Sequence, residues 1–377
     1  MQKKILALAV AGLVSTGAFA QSNVTVYGVL DLFYAYGMDN FNADTKDGGA
    51  IGSGGQSGSR FGFKGSEDLG NGLKANFRIE GGINADVGTS AQTGIFGRWS
   101  TVGLSGNWGE IQLGRRDTFQ DELLGAQDAN GRTTVAQVSP VYLDQSRIGN
   151  FVAYLSPVWN GLQVKAGFST AGADSTAQEV ALLPITSASN NVASNTNFQV
   201  VTAALHYANG PLLLGAAYDY NTYADRDSNV VGQSGNYGSG NVWNVAGAYD
   251  FGVVRINAAY GMYDYAQSFG QTMDDRTQWS LGAAAPIGKA GKLTLTYANA
   301  KIDYNVAGAK SDDMQMWGIA YFHDISKRTN FYAAYGQIDQ DDTFFNPANR
   351  VSLSGMAGTT GVSGYQQAVQ VGLRHRF

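Results

Sequence analysis

From Val24 onward the chain alternates. In VTVYGVLDLFYAYG, Val24, Val26, Gly28, Leu30, Leu32, Tyr34 and Tyr36 fall on one face of an extended segment. Thr25, Tyr27, Val29, Asp31 and Phe33 fall on the other. Period two sustained over ten or more residues suits a strand that crosses a bilayer at a tilt. A Gly/Ser/Asp-rich stretch, 38–58, reads as a loop. In the next pair of segments Phe61, Phe63, Leu73, Ala75, Phe77 and Ile79 share one side. Arg60, Lys64, Lys74, Asn76, Arg78 and Glu80 share the other.

The same pattern predicts sixteen strands, near 23–37, 58–67, 72–84, 95–106, 109–117, 145–156, 161–171, 196–209, 211–221, 240–250, 253–264, 276–286, 292–302, 313–323, 329–339 and 364–377. Short turns such as Asp68–Asn71 and Asn209–Gly210 alternate with long Gly/Ser/Asn/Asp-rich loops, so all short turns gather at one end of the sheet. An even strand count with that asymmetry is the pattern of an outer-membrane barrel. A soluble sandwich or propeller also alternates strands and turns. Strand length, aromatic residues near the ends of the apolar face, and Arg, Lys, Gln and Asn on the polar face favour an all-β, sixteen-stranded antiparallel transmembrane barrel.

One stretch breaks the rhythm. Between the strands ending near 117 and beginning near 145 lies an insert of about 27 residues, where a hairpin needs two to five. It holds a short helix-like piece, 119–124, and the carboxylates Asp117, Asp121, Glu122, Asp128 and Asp144. A loop this long is functional or disordered. The expectation is that it folds into the bore and narrows it.

Composition refines the picture at a few points. Lys3 and Lys4 precede an uncharged apolar run, and Ala18-Phe19-Ala20 supplies small residues before Gln21, so residues 1–20 read as a secretory signal peptide and 21–377 as the barrel. Without Lys3 and Lys4 the formal net charge goes from −5 to −7. The absence of Cys excludes disulfide and thiol chemistry. His206, His323 and His375 are far apart and no metal-ligand spacing is present, so no metal or cofactor is expected. Asp39–Gly48 has the acids of a calcium loop without its Gly and distal Glu. An acidic chain with no basic run does not suit nucleic acid.

SRFGFKGSEDLGNGLKANFRIE, VGLSGNWGEIQLGRR, SRIGNFVAYLSP and the final VGLRHRF resemble the general porins of Gram-negative bacteria, those of β-proteobacteria above all, across 21–377. The resemblance implies a homotrimeric outer-membrane barrel whose third long loop turns inward. It implies passage of small hydrophilic solutes and ions, with outer-membrane lipid, lipopolysaccharide and the barrel-assembly machinery as partners, and Phe377 as an assembly signal. By similarity Arg60, Arg98 and Arg147 stand on the wall opposite the loop, and Glu122 and Asp128 hold acidic loop positions; these five are the expected constriction. The Pro-Glu-Phe-Gly tip of enteric members is replaced by ANGRTT.

Lys64, Lys74, Arg78 and Arg116 are in phase with the polar face and are expected to line the pore. Arg115 is in phase with Leu113 and should point outward, toward a subunit contact or a loop partner. Polar-face cations, Lys165, Arg255, Arg374 and Arg376 among them, outnumber the acids in that phase, Asp31, Glu80, Glu110, Asp219 and Asp250. Low-dielectric walls focus their field, so a weak anion preference is expected. A substrate-specific channel and, with less support from motifs, a barrel enzyme are the alternatives.

Overall fold

The computed structural model describes residues 23–40, 47–92, 94–130, 134–138, 147–169, 198–223, 239–265, 273–304, 311–340 and 365–377. The signal-peptide segment lies outside these residues, as does most of the calcium-like stretch.

The alternating segments form strands β1 (Asn23–Asn40), β2 (Gly48–Ser53), β3 (Arg60–Gly70), β4 (Leu73–Asn84), β5 (Thr89–Ser90), β6 (Trp99–Gly106) and β7 (Gly109–Asp117). After helix α1 (Phe119–Gln127) come β8 (Arg147–Leu155), β9 (Leu162–Ser169), β10 (Phe198–Asn209), β11 (Leu212–Tyr223), β12 (Ser239–Asp250) and β13 (Arg255–Tyr265). The sheet continues through β14 (Met273–Ile287), β15 (Gly291–Tyr304), β16 (Asp312–Asp324), β17 (Thr329–Gln340) and β18 (Tyr365–Arg376). β2 and β3 pair with successive parts of β1 and are two halves of one wall strand, whereas β5 pairs only with the tip of β4, which itself pairs directly with β6. The wall is therefore sixteen antiparallel strands, closed by pairing of β1 with β18.

Closure fixes which face is inside. Along β1, Val29, Asp31, Phe33 and Ala35 are buried while Leu30, Leu32, Tyr34 and Tyr36 are exposed. Exposed apolar side chains such as Val102, Leu281 and Leu373 cover the outside of the other strands. Trp243, Tyr260, Trp279, Tyr297, Trp317 and Tyr335 come from consecutive strands and lie on that same outer face, with neighbouring rings 5.1–5.5 Å apart in three pairs. Such a belt is what a strand wall presents at a membrane interface.

The seam ends on a specific fit. Gly28 and Phe377 exchange two backbone hydrogen bonds of 3.1 Å. The Phe377 ring occupies the place a Gly28 side chain would take, so the apolar row of the first strand is completed by the aromatic of the last.

Two departures from the sequence expectation matter. Residues 48–53, expected as loop, form strand β2 against Leu32–Gly37 of β1; residues 95–98, expected as strand, do not join the sheet. The helix runs to Gln127 rather than 124. Thr118 caps it by accepting from Asp121 N at 3.1 Å, and Asp121 and Glu122 in the first turn complement the helix dipole.

Candidate functional site

Polar side chains of β1, β3 and β4 and of the segment before β6 converge on one carboxylate. Glu80 of β4 is fully buried and accepts from Arg78 Nη2 at 2.8 Å, Tyr27 Oη at 2.8 Å and Arg98 Nε at 2.7 Å. Arg60 Nε stands 3.9 Å from it. Three guanidinium groups thus share a single negative charge, and each keeps part of its surface open, from 16% for Arg98 to 35% for Arg78. Arg78 also lies over the Trp99 ring, 4.0 Å from its centroid, a favourable cation–π geometry. Arg98 is placed by its own backbone, whose N–H donates to Glu80 O at 3.1 Å.

Beside this cluster Arg147, the first residue of β8, pairs with Asp117 at 2.9 Å. Trp99 Nε1 donates to the other oxygen of Asp117 at 3.1 Å. The helix begins two residues beyond that carboxylate and carries Glu122 to Arg116 of β7 and Lys165 of β9. Arg116 ion-pairs with Glu122 Oε1, Lys165 Nζ donates to Glu122 Oε2 at 2.6 Å, and Arg116 Nη1 donates to Gln112 at 2.6 Å. Burial alone would raise the Glu122 carboxyl, but Arg116 and Lys165 outweigh it and hold it below the ordinary carboxylate value. Arg116 keeps the polar-face phase of Gln112 and is buried, and Arg115 Nε donates to Gly97 O at 2.7 Å, the loop-partner alternative.

The insert reaches distant strands. Phe119 packs edge-on against Phe151 at 5.9 Å, and both are buried. Gln120 donates to Val242 O at 3.2 Å and accepts from Asn244 at 2.8 Å. Arg255 and Lys292 donate to Ala126 O and Ala129 O at 3.1 and 3.4 Å, placing cations where a helix end offers bare carbonyls. Further on, Asn130 Nδ2 and Thr296 Oγ1 both donate to Ala136 O, at 2.7 and 2.6 Å, and Val135 N donates to Gln370 at 3.2 Å. The Val135–Ala136 backbone presses so closely on Gly318 and Gly336 that a Cβ at either would overlap it.

Of the five residues expected at the constriction, Arg60 and Arg98 meet at Glu80, Arg147 stands on the adjacent Asp117, and Glu122 bridges Arg116 and Lys165. Asp128 accepts from Asn130 N at 2.7 Å and Val138 N at 3.5 Å, within the insert itself. Among the expected lining residues Arg78 and Arg116 join the clusters. Lys64 is exposed with the Tyr27 ring 5.4 Å away, and Lys74 is exposed beside Asp68 in the register. Glu80, Tyr27, Trp99, Asp117 and Lys165 were not singled out as site residues from sequence. Three of them were in phase with the polar face, but phase does not reveal which strands lie side by side.

A closed antiparallel barrel, apolar outside and charged inside, is the architecture of an outer-membrane channel. A family model described as Gram-negative porin matches residues 7–343. The chain belongs to the Gram-negative porins, passive diffusion channels of the bacterial outer membrane. It is 30% identical to an outer membrane porin protein of Bordetella pertussis and 30% identical to outer membrane porin protein 32 of Delftia acidovorans, with all of each chain covered in both comparisons. Among solved structures, an anion-selective porin from Comamonas acidovorans matches with a TM-score of 0.74 at 26% identity, over 94% of this chain and 100% of that one. The trimer form of OmpT of Vibrio cholerae matches over 94% of this chain and 99% of that one, with a TM-score of 0.64 at 18% identity, a likeness of fold alone.

Proposed function

We propose that the pore passes small hydrophilic solutes with a weak preference for anions, and that the insert narrows it. The observation that carries the anion preference is the sharing of Glu80 by Arg60, Arg78 and Arg98. A second carboxylate, Glu122, is shared by Arg116 and Lys165. Pairing within the clusters therefore leaves positive charge in excess, on groups confined between low-dielectric walls that focus their field. Asp117 and Asp121 offset part of it, which makes the preference mild. The anion selectivity named for the Comamonas porin agrees with this sign.

The bonds from the insert to Val242, Asn244, Thr296 and Gln370 all end on strands remote from β7 and β8 and support a loop that crosses the bore. The constriction then lies between Arg60, Arg98 and Arg147 on the wall and the helix bearing Glu122. We also propose a homotrimer, inserted among outer-membrane lipid and lipopolysaccharide by an assembly machinery that reads Phe377, after removal of residues 1–20. In planar bilayers under a potassium chloride gradient, the zero-current potential should show chloride favoured, most strongly at low salt. Replacing Arg60 and Arg147 together by Ser should move it toward potassium. A wild-type pore that prefers potassium would overturn the assignment. Conductance steps grouped in three equal levels would support the trimer, and isolated single levels would oppose it.

A further inference from the structure

The wall strand beside β1 is broken where the charged cluster begins. Ser53 of β2 stands opposite Leu32 and Arg60 of β3 opposite Val29, so residues 54–59 face only Leu30 and Asp31. The surplus chain leaves the ladder as a bulge, and its N–H groups need other acceptors. Asp31 supplies them. Its carboxylate, wholly buried on the inner face, accepts from Gln56 N at 2.8 Å and Ser57 N at 2.7 Å through one oxygen. The other oxygen accepts from Tyr332 Oη at 2.6 Å. The Asp31 backbone completes the hold: its carbonyl accepts from Gly54 N at 2.7 Å and Ser59 Oγ at 3.1 Å. On the far side of the bulge, Gly58 O accepts from Arg60 Nη1 at 2.7 Å.

These contacts form a continuous path from Tyr332 on β17, through Asp31 on β1 and the bulge, to the guanidinium of Arg60. We infer that Asp31, buttressed by Tyr332, is a positioning residue for the selectivity of the pore: it fixes the 54–59 bulge and so sets where Arg60 places its charge. A seam residue needed only for barrel stability has no reason to be a carboxylate, since an apolar side chain would fill the same place without the cost of a buried charge. A carboxylate is required where two backbone N–H groups and a phenol converge, as they do here. Gly55 shows how closely the bulge is fitted, because a Cβ there would strike the Tyr332 hydroxyl, the Phe33 ring at 2.6 Å and the Gln370 amide at 2.7 Å. This role rests on the proposed placement of Arg60 in the ion path.

The two probe variants leave the charge unchanged. Tyr332→Phe removes one hydroxyl and Gly55→Ala adds one methyl; each is made alone and together with Arg60→Ser, and the zero-current potential is read in planar bilayers. Migration as a heat-stable species in unboiled gels serves as the folding control. Arg60→Ser should lower the chloride-over-potassium ratio about twofold at physiological salt, the effect of one charge about a Debye length from the path. Gly55→Ala should lower it in the same direction, Tyr332→Phe by less. Neither should lower it further once Arg60 is Ser, since coupled residues are non-additive. Should Gly55→Ala not assemble, Tyr332→Phe carries the test, because it adds no atom. Ratios unmoved by both folded variants, or moved equally in the Arg60→Ser background, would overturn the positioning role alone. An Arg60→Ser pore with the wild-type ratio would overturn it together with the placement of Arg60.

Discussion

Replacing Glu122 by Gln removes one negative charge from between Arg116 and Lys165 while keeping an acceptor oxygen for one of them. An ion passing about 8 Å from that carboxylate feels about 0.5 kcal/mol in a medium of water-like dielectric. Screening leaves about 0.2 kcal/mol at physiological salt and about 0.4 kcal/mol at 0.01 M, where the Debye length is about 30 Å. An anion gains what a cation loses, so the chloride-over-potassium ratio should rise about twofold at physiological salt and about fourfold at 0.01 M. The assay is the zero-current potential under gradients centred at the two salt concentrations, with single-channel conductance as a control. Conductance should change little, because the helix stays tied through Gln120 to Val242 and Asn244. A ratio that stays constant at both concentrations, or falls at unchanged conductance, would refute the assignment of Glu122 to the ion path.

Acidification should act on the same group. The Glu122 carboxyl is held below its ordinary value, so its pairing is intact above the ordinary carboxylate range and is lost only as pH falls through the depressed value. Anion preference at fixed salt should therefore stay level from neutral pH down to that range and rise below it, with a smaller rise in Glu122→Gln; an equal rise in both would exclude Glu122 as the source. Cutting out residues 119–133 should leave a heat-stable barrel of higher conductance, and an unchanged conductance would place the insert outside the bore. Gly28→Val and Phe377→Asp should both lower the yield of assembled barrel, since the Phe377 ring occupies the Gly28 side-chain position. Normal yield of folded barrel from either variant would count against a role for this fit.

The strands were legible because period-two alternation needs no knowledge of neighbours, and β1 shows it residue by residue. β2 was not, because GGAIGS carries one long side chain and is strand only by pairing with β1. The clusters were half legible. Arg60, Arg78 and Glu80 share a phase in the sequence, but their meeting with Arg98 depends on a segment, 95–98, that lies outside the sheet and is placed by a bond to Glu80 O. Resemblance marks Asp128 as an acidic position of the insert. The Asp-Ala-Asn order carries a second signal, a side chain that bonds the backbone two residues on, and that is what the Asp128–Asn130 contact is. The bulge at 54–59 reads as an ordinary Gly/Ser loop. Only the position of Asp31 across the ladder shows why it is fixed.

The far anchors of the insert have a bearing on timing. Asn130 meets Thr296 across 166 residues of sequence, and Val135 meets Gln370 across 235. Contacts so remote form late, after the entropy of bringing β15 and β18 into place has been overcome. Where the wall closes before the insert docks, and the insert narrows the bore as proposed, the barrel is for that interval a wider hole than the finished channel. A newly inserted molecule should then leak more than an old one. Docking of Asn130 and residues 134–137 would be the step that ends the leak, so its rate would set how long each new barrel compromises the permeability barrier it is built into.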